Sequence, residues 1–324
     1  MNDDQSRRWW KRWLLTAIKL LIVALVVWFI HRTLVVAWRQ LGEQPWHFSL
    51  PWLLLAGVFY LTGTFCCGLF WHRVLRAMGQ QAGLGETLRA YYIGHLGKYV
   101  PGKAMVVVLR AGLIRNHQVD ATLAAISVFF ETLTMMAVGA FLAAAIVAIW
   151  FRGEPLLFWA SLGMMCVAGI PTLPPVFRRL VRLTGAQKWN AATETGLAGV
   201  GYGTTIIGWV LNTLNWLILG LSLWAVIRSL GVAEASPIDD LPVCTASVSL
   251  ATVAGFLSFV PGGAVVREAV LTELIRPQFG EVVAVVSAVL LRLVWLVSEL
   301  VISGILYMSA RQTRTRRAAP SSGE

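Results

Sequence analysis

Long apolar runs alternate with short polar loops along most of the 324-residue chain. Several runs approach the roughly 20 helical residues that about 30 Å of hydrocarbon requires. In lipid such a run must be helical, because a helix satisfies its own backbone hydrogen bonds. The clearest runs predict six transmembrane helices, over residues 14–30, 50–71, 122–150, 156–176, 205–227 and 282–308.

The composition also indicates that the chain is surrounded by lipid. The chain is 57% hydrophobic and 13% charged, and its mean hydropathy is +0.69, values that exclude an ordinary soluble domain. The four cysteines have neither metal-ligand nor disulfide-framework spacing, and we interpret them as small apolar side chains. Because no Walker sequence, nucleophile elbow or metal-ligand cluster is present, we expect no cofactor, no metal and no enzymatic activity.

Basic residues predict the orientation. They collect in the leader 1–13, in the loop after residue 71, in the loop 178–188 and in the tail 309–324, around a membrane domain over 14–308. Short cytoplasmic loops are rich in Lys and Arg, so both termini are expected in the cytoplasm and the chain in the cytoplasmic (inner) membrane. No small-residue cleavage site follows residue 30, which favours an uncleaved first span. The net charge of +11 suits anionic lipid headgroups, whereas nucleic acid is not an expected partner because the bases lie in short loops beside the membrane.

Two irregular apolar segments, 90–114 and 241–275, share the pattern Val-Pro-Gly-x-Ala. Pro removes an amide donor and Gly permits a sharp turn, so a helix ends there and leaves backbone groups unpaired. With the orientation above, each segment begins and ends on one side of the membrane, and the two enter from opposite sides. They therefore predict re-entrant hairpins, with an ordinary Pro-kinked helix as the alternative, which fits the second segment better because 241–260 is long enough to span. The motif residues are Lys98, Pro101, Gly102, Lys103, Pro261, Gly262 and Gly263.

Each hairpin precedes a long span that carries a charge, so the layout predicts an inverted repeat. Inverted repeats with broken helices are typical of transporters. The predicted fold is an all-α polytopic membrane protein with about six full transmembrane helices and two re-entrant helical hairpins in an inverted-repeat arrangement.

Charged side chains within the apolar segments are the candidate site residues, since each costs at least about 2.5 kcal/mol to insert and requires a partner. Arg292, Trp295 and Glu299 share one helix face. One interpretation is a polar groove for a lipid headgroup, and the other is a set of structural salt bridges. Asn212 and Asn215 favour hydrogen bonding between helices, and His95 favours packing or capping over titration. The predicted groove residues are Arg110, Glu131, Arg267, Glu268, Arg292 and Glu299.

The motifs resemble those of the membrane portion of bacterial lysylphosphatidylglycerol synthases and their stand-alone, flippase-like relatives. The stretch 97–103, Gly-Lys-Tyr-Val-Pro-Gly-Lys, with Arg110 downstream, looks like the first signature of that family. The stretch 261–263, Pro-Gly-Gly, followed by Arg267 and Glu268, looks like the second. Val265 is a departure, since a small Gly is expected there.

The resemblance implies that the chain moves or handles a lipid with a phosphate headgroup across the cytoplasmic membrane. The expected partners are membrane lipids, either anionic or aminoacylated phospholipid or a polyprenyl-phosphate glycan, together with a separate lipid-modifying enzyme and a second copy of the chain. Synthesis is not expected, because no soluble transferase domain accompanies the spans. Two alternatives remain open: a non-catalytic subunit or regulator of a lipid- or glycan-modifying enzyme would have a stable protein partner, and a membrane transferase would turn over a lipid-linked donor.

Overall fold

The computed structural model describes residues 48–99, 104–115, 118–150, 155–183, 191–231, 237–258, 263 and 265–318. The predicted leader 1–13 and the predicted first span 14–30 lie outside these residues. Within them, the elements are α-helices joined by short turns, with no strand. In chain order the helices are α1 (Leu50–Ala77), α2 (Leu84–His95), α3 (Ala104–Ile114), α4 (Ala121–Trp150), α5 (Pro155–Gly169), α6 (Pro174–Leu183), α7 (Ala191–Ala198), α8 (Tyr202–Ser229), α9 (Pro237–Leu257), α10 (Val266–Phe279) and α11 (Glu281–Ala318).

Helices of membrane-spanning length dominate the described part of the chain. Large apolar side chains cover their outer faces: Leu54 is 63% exposed, Val210 62% and Val297 57%. Lipid tolerates such a surface where water would not. The prediction of an all-α polytopic membrane protein is confirmed. Five described helices are long and apolar enough to span: Leu50–Ala77, Ala121–Ile149, Tyr202–Ser229, Ile238–Leu257 and Glu281–Ser309.

The predicted span 156–176 is not one straight helix. Helix α5 ends at Gly169, a 3₁₀ turn covers Ile170–Thr172, and α6 leaves at 70° to the preceding segment. Pro171, Pro174 and Pro175 explain the break, because none of them can donate the amide hydrogen bond that would continue the helix. Helix α6 then packs Phe177 against Phe130 of α4, with ring centroids 4.5 Å apart. The bent pair counts as a sixth span only if both pieces cross together.

Helices α1 and α8 form an antiparallel pair at the centre of the bundle. At one end, the Ser49 amide donates to the Ser229 carbonyl at 2.9 Å. At the other, Gly208 packs so closely on Phe70 that a Cβ atom there would lie 2.4 Å from the ring. Small residues at such seams let membrane helices approach closely. We name the two ends of the bundle by these helices: the Ala77 end and the Ser229 end.

The packing repeats in the two halves of the chain. In the first half, α1 is followed by the hairpin α2–α3 and by α4, and in the second half α8 is followed by the hairpin α9–α10 and by α11. Helix α4 packs against α3 and against α9 of the other half, and correspondingly α11 packs against α10 and against α2. Since α1 and α8 are antiparallel, this is the packing that an inverted repeat requires.

The two hairpins start from opposite ends of the bundle. The first begins and ends at the Ala77 end, where the Gln81 amide donates to the Gln118 carbonyl at 3.3 Å. The second begins and ends at the Ser229 end, where the side-chain amide of Gln278 donates from Nε2 to the Asp240 carboxylate. The arms α2 and α3, of 12 and 11 residues, are too short to span, whereas α9 is long enough to do so. The hairpin shape is therefore present twice, and its re-entrant placement in a bilayer stays a prediction.

Candidate functional site

The first hairpin is held closed by glycines. A Cβ atom on Gly97 would lie 2.9 Å from the Val106 amide nitrogen, and one on Gly94 would lie 2.5 Å from the Arg110 side chain. The 3₁₀ turn Leu96–Tyr99 that ends the first arm lies against the middle of α1, where Lys98 Nζ is 3.4 Å from the Tyr60 hydroxyl. The motif residues Pro101, Gly102 and Lys103 lie outside the described residues.

Gly97→Ala is expected to separate the two arms of the first hairpin and to lower thermal stability, because the added methyl group meets backbone that cannot rotate away. Gly112→Ala on α3 is the matched control, since nothing lies within 4 Å of its Cβ position. The control is expected to be neutral or to stabilise by up to about 1 kcal/mol through helix propensity. Melting temperatures of the two purified variants in the same detergent test this; equal values would contradict it.

A buried ion pair joins this hairpin to α4. The Arg110 guanidinium donates to Glu131 at 2.7 Å, and the two side chains are only 2% and 1% exposed. The guanidinium also lies over the Tyr91 ring, 3.9 Å from its centroid, a favourable cation–π geometry. Because desolvating either charge alone is expensive, the two residues must act as a unit.

His95 connects this pair to the centre of the bundle. The second terminal nitrogen of Arg110 lies 3.1 Å from His95 Nδ1. Arginine nitrogens only donate, so Nδ1 must accept and the ring proton of a neutral imidazole belongs on Nε2. Nε2 lies 3.4 Å from the Tyr60 hydroxyl. The Arg110 contact therefore orients His95 towards Tyr60.

Tyr60 and Lys98 both bind Glu299 of α11. The Tyr60 hydroxyl and the Lys98 ammonium donate to the same oxygen, Oε1. The Tyr60 ring stacks on Trp295, with centroids 4.5 Å apart. Trp295 in turn donates from Nε1 to the Ser222 hydroxyl of α8 at 3.0 Å. Helices α1 and α11 and the 3₁₀ turn thus meet at one carboxylate, and α8 contacts the neighbouring Trp295.

The second hairpin also closes on a glycine contact. A Cβ atom on Gly263 would lie 2.9 Å from Gly255, and Gly263 has a φ of 64°. Val265, two residues on, has a φ of 69°, a conformation that is rare for a β-branched residue and costs about 1–3 kcal/mol. The backbone at Val265 therefore has a positive φ, which a glycine would adopt without this cost. The other motif residues, Pro261 and Gly262, lie outside the described residues.

Two arginines follow this turn towards the centre. The Arg267 guanidinium lies 4.2 Å from the centroid of the Trp295 ring. On α11, Arg292 donates to Glu268 of α10. Each half thus has an ion pair between its hairpin and the long helix that follows, but the charges are exchanged. In the first half the hairpin carries the cation and the long helix the carboxylate, and in the second half the hairpin carries the carboxylate and the long helix the cation.

Described residues of both hairpins line one small pocket. Helix α11 supplies its floor through Arg292 and Trp295, and each hairpin adds cationic or aromatic groups. Its position between the halves, with three cations around it, makes it the candidate site. The lining residues are Lys98, Tyr99, Arg267, Arg292 and Trp295.

The six predicted groove residues fall into two sets. Arg267 and Arg292 line the pocket, and Glu268 and Glu299 each bind one of its cations. The second set is the buried pair Arg110 and Glu131, which reaches the first through His95 and Tyr60. The shared face of Arg292, Trp295 and Glu299 is buried, at 6%, 4% and 2% exposure.

Five other side chains belong to the site. Lys98 and Tyr99 stand in the first motif, but the direct contact of Lys98 with Glu299 has no sequence signal. His95 has polar partners as well as a packing role. Helical spacing places Trp295 on the face of Arg292 and Glu299, whereas Tyr60 lies in an apolar run, where an aromatic residue is not distinctive. Within the described residues, no group of three or more His, Cys, Asp or Glu side chains is arranged to hold a metal ion.

Asn212 and Asn215 occupy the α1–α8 seam. Both side chains are fully buried. The Cys67 thiol of α1 lies 3.4 Å from the side-chain oxygen Oδ1 of Asn212 on α8, so the two helices are in polar contact there. These residues therefore belong to helix packing, outside the pocket.

This architecture defines a class: a helical membrane protein whose two halves each insert a hairpin towards a shared charged centre. Residues 16–302 match the family described as the lysylphosphatidylglycerol synthase TM region. The chain belongs to that family, which confirms the resemblance carried by the two motifs and relates the protein to lipid handling or flipping. A search of curated proteins finds no match.

Proposed function

We propose that the protein moves a lipid across the membrane by holding its phosphate headgroup in the pocket between the two hairpin tips. The convergence of Lys98, Arg267 and Arg292 on one pocket is the observation that carries this proposal. These cations come from three different elements that start at opposite ends of the bundle. Such a convergence is costly in lipid unless it serves a ligand or an ion pathway.

The chemistry of the pocket favours a phosphate. An arginine presents a planar fork that donates two parallel hydrogen bonds to phosphate oxygens, and a lysine adds a compact charge. Two of the cations already contact carboxylates, Lys98 with Glu299 and Arg292 with Glu268. Arg267 has no carboxylate within 4 Å in the described part of the chain. Among the described residues, the pocket thus has three cations to two carboxylates, and this excess of positive charge attracts an anionic headgroup.

The architecture favours movement over static binding. The pocket lies between two halves of opposite direction, and it is narrow in this conformation, so a headgroup requires the tips to separate. Rocking of one half against the other would expose the pocket to each side in turn. Meanwhile the acyl chains stay along the apolar outer surface, where Leu54 and Val297 are exposed.

We assign no catalytic step to this chain. Its proposed substrates are anionic or aminoacylated phospholipids or polyprenyl-phosphate glycans, and a separate enzyme would supply any modified lipid. We place the Ala77 end in the cytoplasm of a cell with this protein in its inner membrane, because basic side chains gather there. They are Arg73, Arg76, Arg89, Arg115, Arg178, Arg179 and Arg182.

A photoreactive phospholipid tests the occupancy of the pocket. Purified protein in liposomes containing a lipid with a diazirine in its headgroup is expected to be labelled near Lys98 and near Arg267. Excess anionic, zwitterionic or polyprenyl-phosphate lipid, added separately, identifies the preferred headgroup by suppressing the label. Adducts spread over the outer surface and insensitive to every competitor would contradict the proposal. If, in addition, a stable enzyme were recovered with the protein from mild detergent, the role of a regulatory subunit would be favoured.

A further inference from the structure

Lys98 stands between the pocket and Glu299. The Lys98 side chain is 24% exposed and lines the pocket, whereas the Glu299 side chain is 2% exposed and lies behind it. An anion in the pocket therefore reaches the ammonium group and not the carboxylate. The anion and Glu299 would then share one cation.

The surroundings of Glu299 place several charges and hydrogen-bonding groups around one carboxyl group. Its Oε1 accepts hydrogen bonds from Tyr60 and Lys98, while Oε2 is buried with no hydrogen-bond partner in the described part of the chain. His95 Nε2 lies 3.8 Å from Oε1. Among the described residues, the titratable and charged groups that face this region are Tyr60 of α1, His95 of α2, Lys98 and Tyr99 of the 3₁₀ turn, Arg267 and Glu268 of α10 and Arg292 of α11 itself.

We propose that binding of a lipid phosphate at Lys98 is coupled to the uptake of one proton by Glu299, so that the lipid and the proton move together. This inference rests on the proposed function, since it names what accompanies the lipid. The proton comes from a hydronium ion of the solvent that reaches the pocket. One O–H bond of the hydronium breaks as the O–H bond to Oε2 forms, and a water molecule is left.

Charge balance supports the coupling. Before binding, the Lys98 ammonium neutralises Glu299. When a phosphate draws the same ammonium, a buried carboxylate is left beside a second negative charge, and repulsion between like charges favours its neutral form. With the proton bound, the ammonium faces one anion again. The net charge of the pocket is the same before and after.

The geometry selects Glu299 over the other two carboxylates. Glu268 is 22% exposed, so solvent supports its charge when the pocket fills. Glu131 is sealed against Arg110 and does not line the pocket. Tyr60 suits either state of Glu299, because its hydroxyl can donate to Oε1 both in the carboxylate and in a carboxylic acid protonated at Oε2.

Infrared spectroscopy tests this without a lipid. Lys98→Gln removes the ammonium and should leave Glu299 protonated, so a carboxylic-acid C=O band absent from wild type is expected at neutral pH. The band must vanish in Lys98→Gln/Glu299→Gln and persist in Lys98→Gln/Glu268→Gln.

Lys98→Arg is the matched control, because it keeps the charge and should show no such band. If the Gln variant does not fold, wild type supplies the test: adding phosphatidylglycerol to the protein in detergent should produce the Glu299 band. No band in a folded Lys98→Gln protein, or one that survives the loss of Glu299, would overturn the coupling. Photolabelling of the pocket without the band would refute the coupling and leave the proposed function standing. The band in Lys98→Gln without photolabelling of the pocket would refute the proposed function, and with it the lipid as the ligand coupled to the proton, and would show only that Lys98 controls the charge of Glu299.

Discussion

Glu131→Gln is expected to destabilise the fold by about 3–5 kcal/mol, the cost of leaving a buried charge without its partner. Arg110 is 2% exposed and donates to Glu131 at 2.7 Å. Glutamine keeps the shape but not the charge, so the guanidinium stays desolvated beside Tyr91. Titration of the purified protein from mild detergent into sodium dodecyl sulfate, followed by helical circular dichroism, measures the loss.

Glu273→Gln is the matched control for that variant. Its carboxylate pairs with Arg276 at 2.8 Å, but the two side chains are 62% and 50% exposed. Exposed pairs contribute about 0–1 kcal/mol, so little change is expected. Replacing both members of the buried pair by Leu should recover part of the loss, because no lone charge remains. Equal stabilities for Glu131→Gln and Glu273→Gln would show that the ion pair does not support the fold.

Arg267→Gln is expected to slow lipid exchange between leaflets about 10- to 100-fold. Hydrogen bonds to charged groups contribute about 1.5–3 kcal/mol, which converts to that range. Arg267 lines the pocket, and its removal cancels the excess positive charge there. Fold stability should change little, because within the described residues the guanidinium has no carboxylate partner and contacts the Trp295 ring.

Arg276→Gln is the matched control, since it removes the same group from the same helix at a 50% exposed site. Its exchange rate is expected to equal that of wild type. The initial rate at which a reducing agent quenches fluorescent lipid in liposomes measures both variants. If both slow exchange equally, the effect belongs to α10 as a whole and not to the pocket.

Hydrophobic patterning located most of the long helices. The predicted span 50–71 lies within Leu50–Ala77. The helix extends further because the long side chains of Arg73 and Arg76 can reach the polar end of the bundle. The span 156–176 failed as a single helix because hydropathy does not register the amide donors that its prolines lack. Length alone also could not decide the form of the second hairpin, since α9 is long enough to span.

The residues of the site were easier to predict than their partners. A charge in an apolar run requires a neighbour, so Arg110, Glu131 and Arg292 stood out from the sequence. Which charges pair depends on how distant segments pack. Arg110 and Glu131 are 21 residues apart, whereas Lys98 and Glu299 are 201 apart. No local pattern connects residues at the second distance.

Leaflet exchange by the wild-type protein decides whether the pocket moves lipids. Liposomes with and without protein, each containing fluorescent anionic, zwitterionic or polyprenyl-phosphate lipid, are compared by the fraction of lipid that a reducing agent can reach over time. Faster exchange with protein for at least one of these lipids, and its loss in Arg267→Gln but not in Arg276→Gln, is the predicted result. Rates equal to those of protein-free liposomes for all three lipids would contradict it.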